Sequence, residues 1–386
     1  MTVGVASAVV AAGLREPDYG GMCLDGVLPA AAASLGVEVP GGGAAMRRFG
    51  VPSAQRVCVV VVDGLGQAML SERAGHAPFL RSLLSGGRVL TAGFPSTTAT
   101  SLGVFGTGRG PGLTGLAGYT VRNPATGGLA NLISWAGAGP AEQWQREPSL
   151  FGPVAGAGVP VTSVGPAKFA GSGLTRAALS GGDYDAAEAL DARVDATLRH
   201  LARPGLVYLY WGAVDKIGHN NGWQSTSWAD ALAETDRELS RLARSMPAGT
   251  VLMITADHGM VDVDHEALID VAETPALAED VELVAGEPRA THVHVRPGAA
   301  EAAGDRWRTT LGDLALVVGR DEAIAAGWFG PVADHVVPLI GDLVVAARGR
   351  AGVVDSRTQT PHSLRLKGMH GSLTPGEMLI PLLVVA

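Results

Sequence analysis

Aspartate and histidine residues recur along this chain in short motifs that suit metal binding. Carboxylate oxygen and imidazole nitrogen are both ligands of Zn²⁺ and related divalent ions. The residues concerned are Asp63, Asp215, His219, Asp257, His258 and His370. Together they could hold two divalent ions with mixed oxygen and nitrogen ligands, which predicts chemistry on a phosphorus centre.

The spacing within these motifs indicates how the side chains can meet. Asp215 and His219 stand four residues apart, which puts both on one face of a helical turn. Asp257 and His258 are adjacent and are followed by a glycine; at a bend between strand and loop both can turn towards one ion. Asp63 follows an apolar run, where the alternative is a carboxylate that caps the next helix.

A hydroxyl-rich segment, FPSTTATS at 94–101, offers a nucleophile. Proline followed by serine and threonine predicts the start of a helix. A threonine there lies beside free backbone N–H groups and the positive end of the helix dipole, a position that suits phosphate. The alternative is that Ser96, Thr97 or Thr98 is only the N-cap residue of that helix.

The elements that must position these residues alternate between strand and helix. Apolar runs at 56–62, 205–211 and 250–255 predict buried strands. Segments 185–202 and 227–244 have helical periodicity. The alternation predicts an α/β fold with a parallel sheet, whose ligands bind at the carboxyl ends of the strands.

Residues 265–362 differ in pattern from the rest of the chain. They contain a short alternating strand at 291–296, a helix near 299–311 and turns rich in glycine and proline. We interpret them as an inserted cap subdomain. The main domain is then expected to comprise residues 1–264 and 363–386, with a terminal strand at 378–385.

Composition narrows the classes of partner. The chain has 386 residues, of which 47% are hydrophobic and 17% charged, as in an ordinary globular protein. Its net charge of −8 argues against binding to a nucleic-acid duplex. No apolar segment reaches the ~18 residues of a membrane span, and Arg15 follows the N-terminal apolar stretch instead of preceding it. We therefore expect a cytoplasmic protein. Its two cysteines, Cys23 and Cys58, do not suggest a disulfide framework.

Five motifs in order, VVVDG, FPSTTATSLGVFGTG, DKIGH, ADHGM and MHGS, resemble those of the alkaline phosphatase superfamily. The branch they resemble most is the type I phosphodiesterase/nucleotide pyrophosphatase family, over residues 56–385. The resemblance implies an alkaline-phosphatase-like three-layer sandwich with a largely parallel central sheet.

The resemblance also implies roles for the residues. One ion would be bound by Asp63, Thr98, Asp257 and His258, and the other by Asp215, His219 and His370. Two Zn²⁺ ions are implied, with Mn²⁺ as an alternative. Thr98 matches the family's nucleophile, which forms a phosphothreonine intermediate, and Thr97 is the second choice.

The implied activity is hydrolysis of phosphodiester or pyrophosphate bonds in small, nucleotide-like substrates. The diesterase branch often has an asparagine shortly after the nucleophile, but here that stretch is Ala99-Thr100-Ser101. A phosphomonoesterase or a phosphonate hydrolase of the same superfamily therefore stays an alternative, and a non-catalytic metal-binding domain is a third. The oligomeric state is not predicted.

Several further residues have a structural and a functional interpretation. His292 and His294 alternate on one strand, and we expect a solvated strand face rather than a metal site. The loop 168–172 could reach the substrate or be an ordinary surface loop. Three tryptophans near the Asp215 motif could stack on a base or simply pack the loop; they are Trp211, Trp223 and Trp228.

Overall fold

The computed structural model describes residues 4–386. Numbered along the described chain, the strands are β1 (Arg56–Val62), β2 (Arg88–Thr91), β3 (Thr120–Arg122), β4 (Leu129–Asn131), β5 (Val161–Gly165), β6 (Asp183–Ala186), β7 (Gly205–Trp211), β8 (Thr250–Thr255), β9 (Val261–Asp262), β10 (Leu268–Asp270), β11 (Val281–Glu287), β12 (Ala290–Val295), β13 (Ala315–Gly319), β14 (Leu343–Ala347), β15 (Gly352–Val354), β16 (Gly368–Met369) and β17 (Leu379–Val385). The α-helices are α1 (Val5–Ala11), α2 (Val27–Ser34), α3 (Gly42–Phe49), α4 (Gln67–Glu72), α5 (Pro78–Leu83), α6 (Thr98–Thr107), α7 (Pro111–Thr114), α8 (Ala141–Trp144), α9 (Phe151–Gly156), α10 (Gly173–Ala178), α11 (Leu190–Leu201), α12 (Ala213–Asn221), α13 (Thr226–Ser245), α14 (Pro275–Ala278), α15 (Ala300–Leu311), α16 (Arg320–Ala325) and α17 (Pro375–Met378).

The central sheet has seven strands in the order β2-β17-β8-β1-β7-β5-β6. All run parallel except β17, which is antiparallel to both of its neighbours. Every residue from Val57 to Val62 is buried. Because successive side chains point to opposite faces, both faces of the sheet are covered. The fold is therefore the predicted three-layer α/β sandwich with a largely parallel sheet.

The position of β1 in this sheet brings the predicted site residues to one edge. It pairs with β7 on one side and β8 on the other, with Val62 opposite Trp211 and Val61 opposite Thr255. The three strands therefore end at the same level. The residues that follow them are Asp63, Asp215 and Asp257, and parallel strands place such residues at a shared carboxyl edge.

A second, antiparallel sheet has the order β11-β12-β14-β13. Helix α15 packs on one face through Trp307, and the other face packs on Phe94 and Phe329. The pairing of β9 with β16 puts the chain segments that lead into and out of this region side by side. The division into residues 1–264 with 363–386 and an inserted subdomain at 265–362 stays a prediction.

Two expectations about individual elements are wrong. The helix expected at 185–202 begins only at Leu190, because Asp183–Ala186 pairs with β5 as an edge strand of the central sheet. His292 and His294 are each 1% exposed instead of solvated. They lie on an interior strand of the second sheet, on the face that packs against Phe329, so tertiary packing covers them.

Two further structural facts concern the hydropathy of the helices and the two cysteines. Among residues 4–386, no helix has the length and apolar character needed to cross a membrane. Cys23 and Cys58 are both buried and not in disulfide linkage, and Cys58 lies inside β1. Burial raises the pKa of both thiols, so neither is a reactive thiolate.

Candidate active site

Asp63 lies in the first turn after β1 and is 3% exposed. Its backbone N–H donates to the Trp211 carbonyl at 2.9 Å, and its Oδ2 accepts a hydrogen bond from the Tyr210 hydroxyl. Gly64 follows with φ of +72°, and a Cβ there would lie 2.9 Å from the Cβ of Asp215. Glycine therefore allows both the left-handed turn and the close approach of the Asp215 helix.

Asp257 locks the loop after β8 to the loop after β1. Its Oδ1 accepts from the N–H of Gly64 and from the N–H of His258, each at 3.0 Å. A Cβ on Gly259 would collide with the carbonyl of Gly376. The glycine that the sequence places after the Asp-His pair is thus needed for close backbone packing, while its φ lies outside the left-handed region.

Three side chains at these strand ends form a first ligand group, consisting of Asp63, Asp257 and His258. The Nε2 of His258 lies 3.4 Å from Asp63 Oδ1 and 3.5 Å from Asp257 Oδ2. Ligand atoms of the three residues all lie within 4.8 Å of one another, and all three are buried. The arrangement therefore offers one cation two carboxylates and one imidazole.

Thr98 is the first residue of α6 and adjoins the first ligand group. Its Oγ1 lies 3.2 Å from His258 Nε2. The N-cap position belongs to Thr97, whose side chain does not cap the helix, and the Ser96 hydroxyl donates to the Ser372 carbonyl at 2.7 Å. Of the three hydroxyls weighed from the sequence, the one that contacts the ligand group is that of Thr98.

A second ligand group consists of Asp215, His219 and His370. The first two lie on α12, with Asp215 Oδ1 3.4 Å from His219 Nε2. The Nε2 of His370, from the loop after β16, lies 3.7 Å from Asp215 Oδ1 and 3.2 Å from His219 Nε2. His370 also stacks on His258 at a centroid distance of 3.6 Å, so the two groups are contiguous.

The three histidines share one hydrogen-bond pattern. Each Nδ1 lies within 2.7–2.9 Å of a backbone carbonyl oxygen, which can only accept; the carbonyls are those of Gly259 for His258, Gly368 for His219 and Ser96 for His370. Each Nδ1 must therefore carry the proton, which leaves a lone pair on each Nε2 facing the carboxylates. Metal-binding histidines are oriented by this kind of contact.

Three carboxylate oxygens without hydrogen-bond partners show that the ligand atoms of both groups suit divalent cations. Asp63 Oδ1, Asp215 Oδ1 and Asp257 Oδ2 are buried and have no hydrogen-bond partner. Buried carboxylate oxygens and facing imidazole lone pairs repel one another and are costly to desolvate. Cations among them would remove both costs, so the residues present suit one divalent ion in each group.

The pKa directions have the same cause. Burial raises the pKa of Asp63, and the charges of Asp257 and Asp215 raise it further. Burial likewise raises the pKa of Asp257. For His370, burial lowers the pKa, and the neighbouring imidazoles of His258 and His219 lower it further. Without cations, burial therefore favours the protonated form of Asp63 and Asp257 and the neutral form of His370.

The sequence did not point to Tyr210, which donates to Asp63. Its signal would have been its place as the penultimate residue of β7, directly opposite Val61 of β1. Tyr208 lies two residues earlier and on the same face of the strand. The contact of Tyr210 with Asp63 does not follow from sequence spacing, because only the sheet makes β1 and β7 neighbours.

A cavity of about 250 Å³ adjoins Thr98 and has several aromatic residues in its wall. Its walls include Tyr119, Phe169, Tyr184 and Tyr210. From the loop 168–172 the structure brings Phe169 and Ser172 to this cavity, while the Lys168 ammonium lies over the Phe169 ring. The tryptophans near Asp215 do not line it. Trp228 is fully buried and packs against Trp223, and the Trp211 indole donates to Thr235 Oγ1 on α13.

A family model described as type I phosphodiesterase / nucleotide pyrophosphatase matches residues 57–373. No curated protein sequence matches the chain significantly. Among solved structures, murine ectonucleotide pyrophosphatase / phosphodiesterase 5 is similar with a TM-score of 0.66 and 15% identity over 85% of this chain and 87% of that one. The human protein of the same name has a TM-score of 0.67 and 17% identity over 85% and 87%.

Phosphonoacetate hydrolase from Sinorhizobium meliloti 1021, solved in complex with phosphonoformate, is also similar. Its TM-score is 0.68 at 20% identity, over 90% of this chain and 92% of that one. At such identities the structural likeness establishes the fold.

Proposed function

The chain belongs to the type I phosphodiesterase / nucleotide pyrophosphatase family, and we propose that this phosphoester hydrolase cleaves phosphodiester or pyrophosphate bonds of small, nucleotide-like substrates. The reaction would proceed through a phosphothreonine on Thr98. The observation that carries the proposal is the place of Thr98 Oγ1, 3.2 Å from His258 Nε2 at the edge of the first ligand group.

Two divalent ions, Zn²⁺ or alternatively Mn²⁺, would be held by the two ligand groups and would supply the positive charge that stabilises an alkoxide and the phosphoryl oxygens. The chain itself positions the nucleophile. Thr98 begins a ten-residue helix, whose first N–H groups have no intrahelical partner and can donate to a phosphoryl oxygen. These backbone donors would serve where the diesterase branch often has an asparagine.

The proposed chemistry has two displacements. Thr98 Oγ1 forms a bond to phosphorus as the bond to the leaving-group oxygen breaks, and that oxygen ends as a hydroxyl. Water then attacks the phosphothreonine, which releases the phosphate monoester and returns the threonine hydroxyl. Two inversions predict retained configuration at phosphorus.

The aromatic cavity beside Thr98 favours a substrate with a flat ring. Tyr119, Phe169 and Tyr210 offer ring surfaces there, with Phe169 edge-on to Tyr210 at 5.7 Å, and aromatic faces stack on bases. The murine structural neighbour has also been solved in complex with AMP. A phosphomonoesterase or a phosphonate hydrolase with the same mechanism is the alternative.

The test compares bis-p-nitrophenyl phosphate with p-nitrophenyl phosphate on the Zn²⁺-loaded protein. We expect kcat/KM to favour the diester at least about tenfold, equivalent to about 1.4 kcal/mol. Thr98→Ala should lower turnover of both esters at least about a thousandfold, because the attacking oxygen is lost. Thr97→Ala should keep most of the activity, since its hydroxyl is not the attacking group.

Each outcome has a distinct meaning. A preference for the monoester would move the enzyme to the phosphatase alternative. Loss of activity in Thr97→Ala but not in Thr98→Ala would refute the choice of nucleophile. Metal content, measured by mass spectrometry before and after chelation, tests the ions separately, and absence of bound metal in active protein would refute their role. The cytoplasmic location stays a prediction.

A further inference from the structure

A second cavity, of about 390 Å³, lies on the other side of the metal-ligand residues. It runs between the β3–β4 hairpin and the end of β11 on one side and the segment 355–366 on the other. Its walls include the hydroxyl, amide and carboxyl side chains of Thr120, Asn131, Glu287, Gln359, Thr360 and Ser363, together with apolar residues such as Val284 and Leu366. Apart from the two histidines, Tyr119 is the one aromatic residue among the described residues that line it.

The second cavity lies where a leaving group would depart. His219 and His370 line both cavities, whereas Thr98 lines the first and not the second. In phosphoryl transfer the attacking and leaving oxygens are roughly in line on opposite sides of phosphorus. A phosphorus atom attacked by Thr98 therefore presents its leaving group towards His219 and His370, and so towards the second cavity.

The walls of this cavity offer no cationic side chain. Neither lysine nor arginine is among the described residues that line either cavity. Asp355 is buried, and both of its oxygens accept hydrogen bonds from Arg357 at 2.7 Å, so its charge is already paired. An anionic leaving group would find no partner here beyond the ions at the ligand groups.

Glu287 adds a group that suits a hydroxyl. It is 7% exposed, and its Oε2 accepts from the Tyr119 N–H at 2.7 Å. Its Oε1 is buried and has no hydrogen-bond partner. A buried carboxyl of this kind, whose pKa burial raises to about 8, favours a ligand hydroxyl, which can both donate and accept a hydrogen bond.

We infer that the second cavity binds the leaving group of a phosphodiester substrate, and that this group is uncharged and hydroxylated, of the glycerol or sugar class. The inference rests on the proposed function and narrows it. Substrates with a charged leaving group, such as pyrophosphate or a carboxylate-bearing phosphonate, are then disfavoured.

Three esters of thymidine 5′-phosphate test the inference, because they share the phosphoryl arm. Their second groups are 2,3-dihydroxypropyl, 2-carboxy-2-hydroxyethyl and propyl, each joined through a primary oxygen. We expect kcat/KM of the metal-loaded protein for the dihydroxypropyl ester to exceed that for the carboxy ester at least about tenfold, and that for the propyl ester about fivefold. Equal values, or preference for the carboxy ester, would overturn the inference.

A matched pair of variants links that selectivity to the cavity. Gln359→Lys adds a cation to the cavity wall, and Gln143→Lys adds the same charge at an exposed residue of α8. The ratio of the dihydroxypropyl to the carboxy ester should fall at least about fivefold in Gln359→Lys and stay within about twofold in Gln143→Lys. An equal shift in both variants would mean that only overall charge matters, which contradicts the proposed subsite.

Binding measurements separate this inference from the proposed function. Titration calorimetry on metal-loaded Thr98→Ala, which lacks the proposed nucleophile, should show the dihydroxypropyl ester binding at least about tenfold more tightly than the carboxy ester. Equal affinities for the dihydroxypropyl and carboxy esters would refute the proposed subsite even if bis-p-nitrophenyl phosphate is hydrolysed. The expected difference in affinity without any turnover of diesters would support the subsite while the proposed function fails.

Discussion

His258 of the central site and His292 of the second sheet are equally buried but are used in opposite ways. His258 has Nδ1 bound to a carbonyl and Nε2 facing two carboxylates. His292 uses both nitrogens on backbone: Nε2 lies 2.9 Å from the Ala117 carbonyl, and Nδ1 accepts from the Gly341 N–H at 3.1 Å. The contrast shows that burial alone does not mark a ligand; a free nitrogen that faces carboxylates does.

The largest expected effect comes from replacing one histidine by asparagine in each of the two regions and comparing the variants. His258→Asn should lower kcat/KM at least about a thousandfold, because it removes a nitrogen that we propose binds an ion, and such an ion is worth several kcal/mol in the transition state. His292→Asn should change kcat/KM by less than about tenfold but lower the free energy of unfolding by about 1–3 kcal/mol, because the Ala117 carbonyl loses its donor. Kinetics, metal content and urea unfolding of both variants provide the check.

The comparison fails in either of two ways. If the His258→Asn variant retained activity and bound metal, His258 would not be a ligand of the site. Loss of bound metal in His292→Asn would show that the second-sheet histidine also acts at the centre.

A buried ion pair joins the two regions. Arg289, between β11 and β12, and Glu377 both have fully buried side chains, with Arg289 Nη2 2.7 Å from Glu377 Oε2. The backbone carbonyl of Glu377 also accepts from the N–H of Gly259, next to His258. The pair thus ties the second sheet to the loop that holds the first ligand group.

The second-largest expected effect is a loss of stability when one partner of the Arg289–Glu377 pair is removed. Glu377→Leu should lower the free energy of unfolding by about 3–5 kcal/mol, because it leaves the Arg289 charge buried without a partner. Asp305→Asn breaks an ion pair in which the side chains of Arg308 and Asp305 are 45% and 73% exposed. It should lower the free energy of unfolding by at most about 1 kcal/mol. Urea unfolding of both variants measures the difference. A similar cost in the two would contradict the assignment of a tightly held junction.

The smallest of the three effects is a pH dependence of the second sheet. Burial lowers the pKa of His292 to about 4, and burial together with His292 lowers that of His294 to about 3. Because the pKa of histidine in the unfolded chain is about 6.5, the unfolded chain binds more protons than the folded one between about pH 4 and pH 6.5. The stabilisation is therefore complete above pH 6.5 and is lost as pH falls towards 4, by on the order of 3 kcal/mol for His292.

Unfolding of wild type and His292→Asn between pH 7.5 and pH 4.5 measures this term. The difference in free energy between them should shrink as pH falls, because only wild type loses the contribution of His292. A difference that stays constant across that range would show that the imidazole is not held neutral by burial.

Much of the fold and the site could be predicted because local patterns and tertiary structure agree there. The valine run of β1 has to be buried on both faces, and a parallel strand ends where ligands bind. The four-residue spacing of Asp215 and His219 requires one helical face, and the structure places both on α12. The order of motifs was sufficient to indicate the family.

The sequence by itself thus determined the α/β class, the carboxyl-edge position of the candidate site and the residue types of its two ligand groups. Only tertiary structure decided that β1 lies between β7 and β8, which brings Tyr210 to Asp63 and Gly64 against Asp215. It also decided that His292 is buried and that 183–186 extends the sheet. The physical reason is that spacing along a chain fixes which face a side chain takes within its own element. The neighbours on that face come from segments about 75 to 275 residues away, such as Tyr19 for Phe94 and Ser96 for Ser372, and local pattern does not encode them.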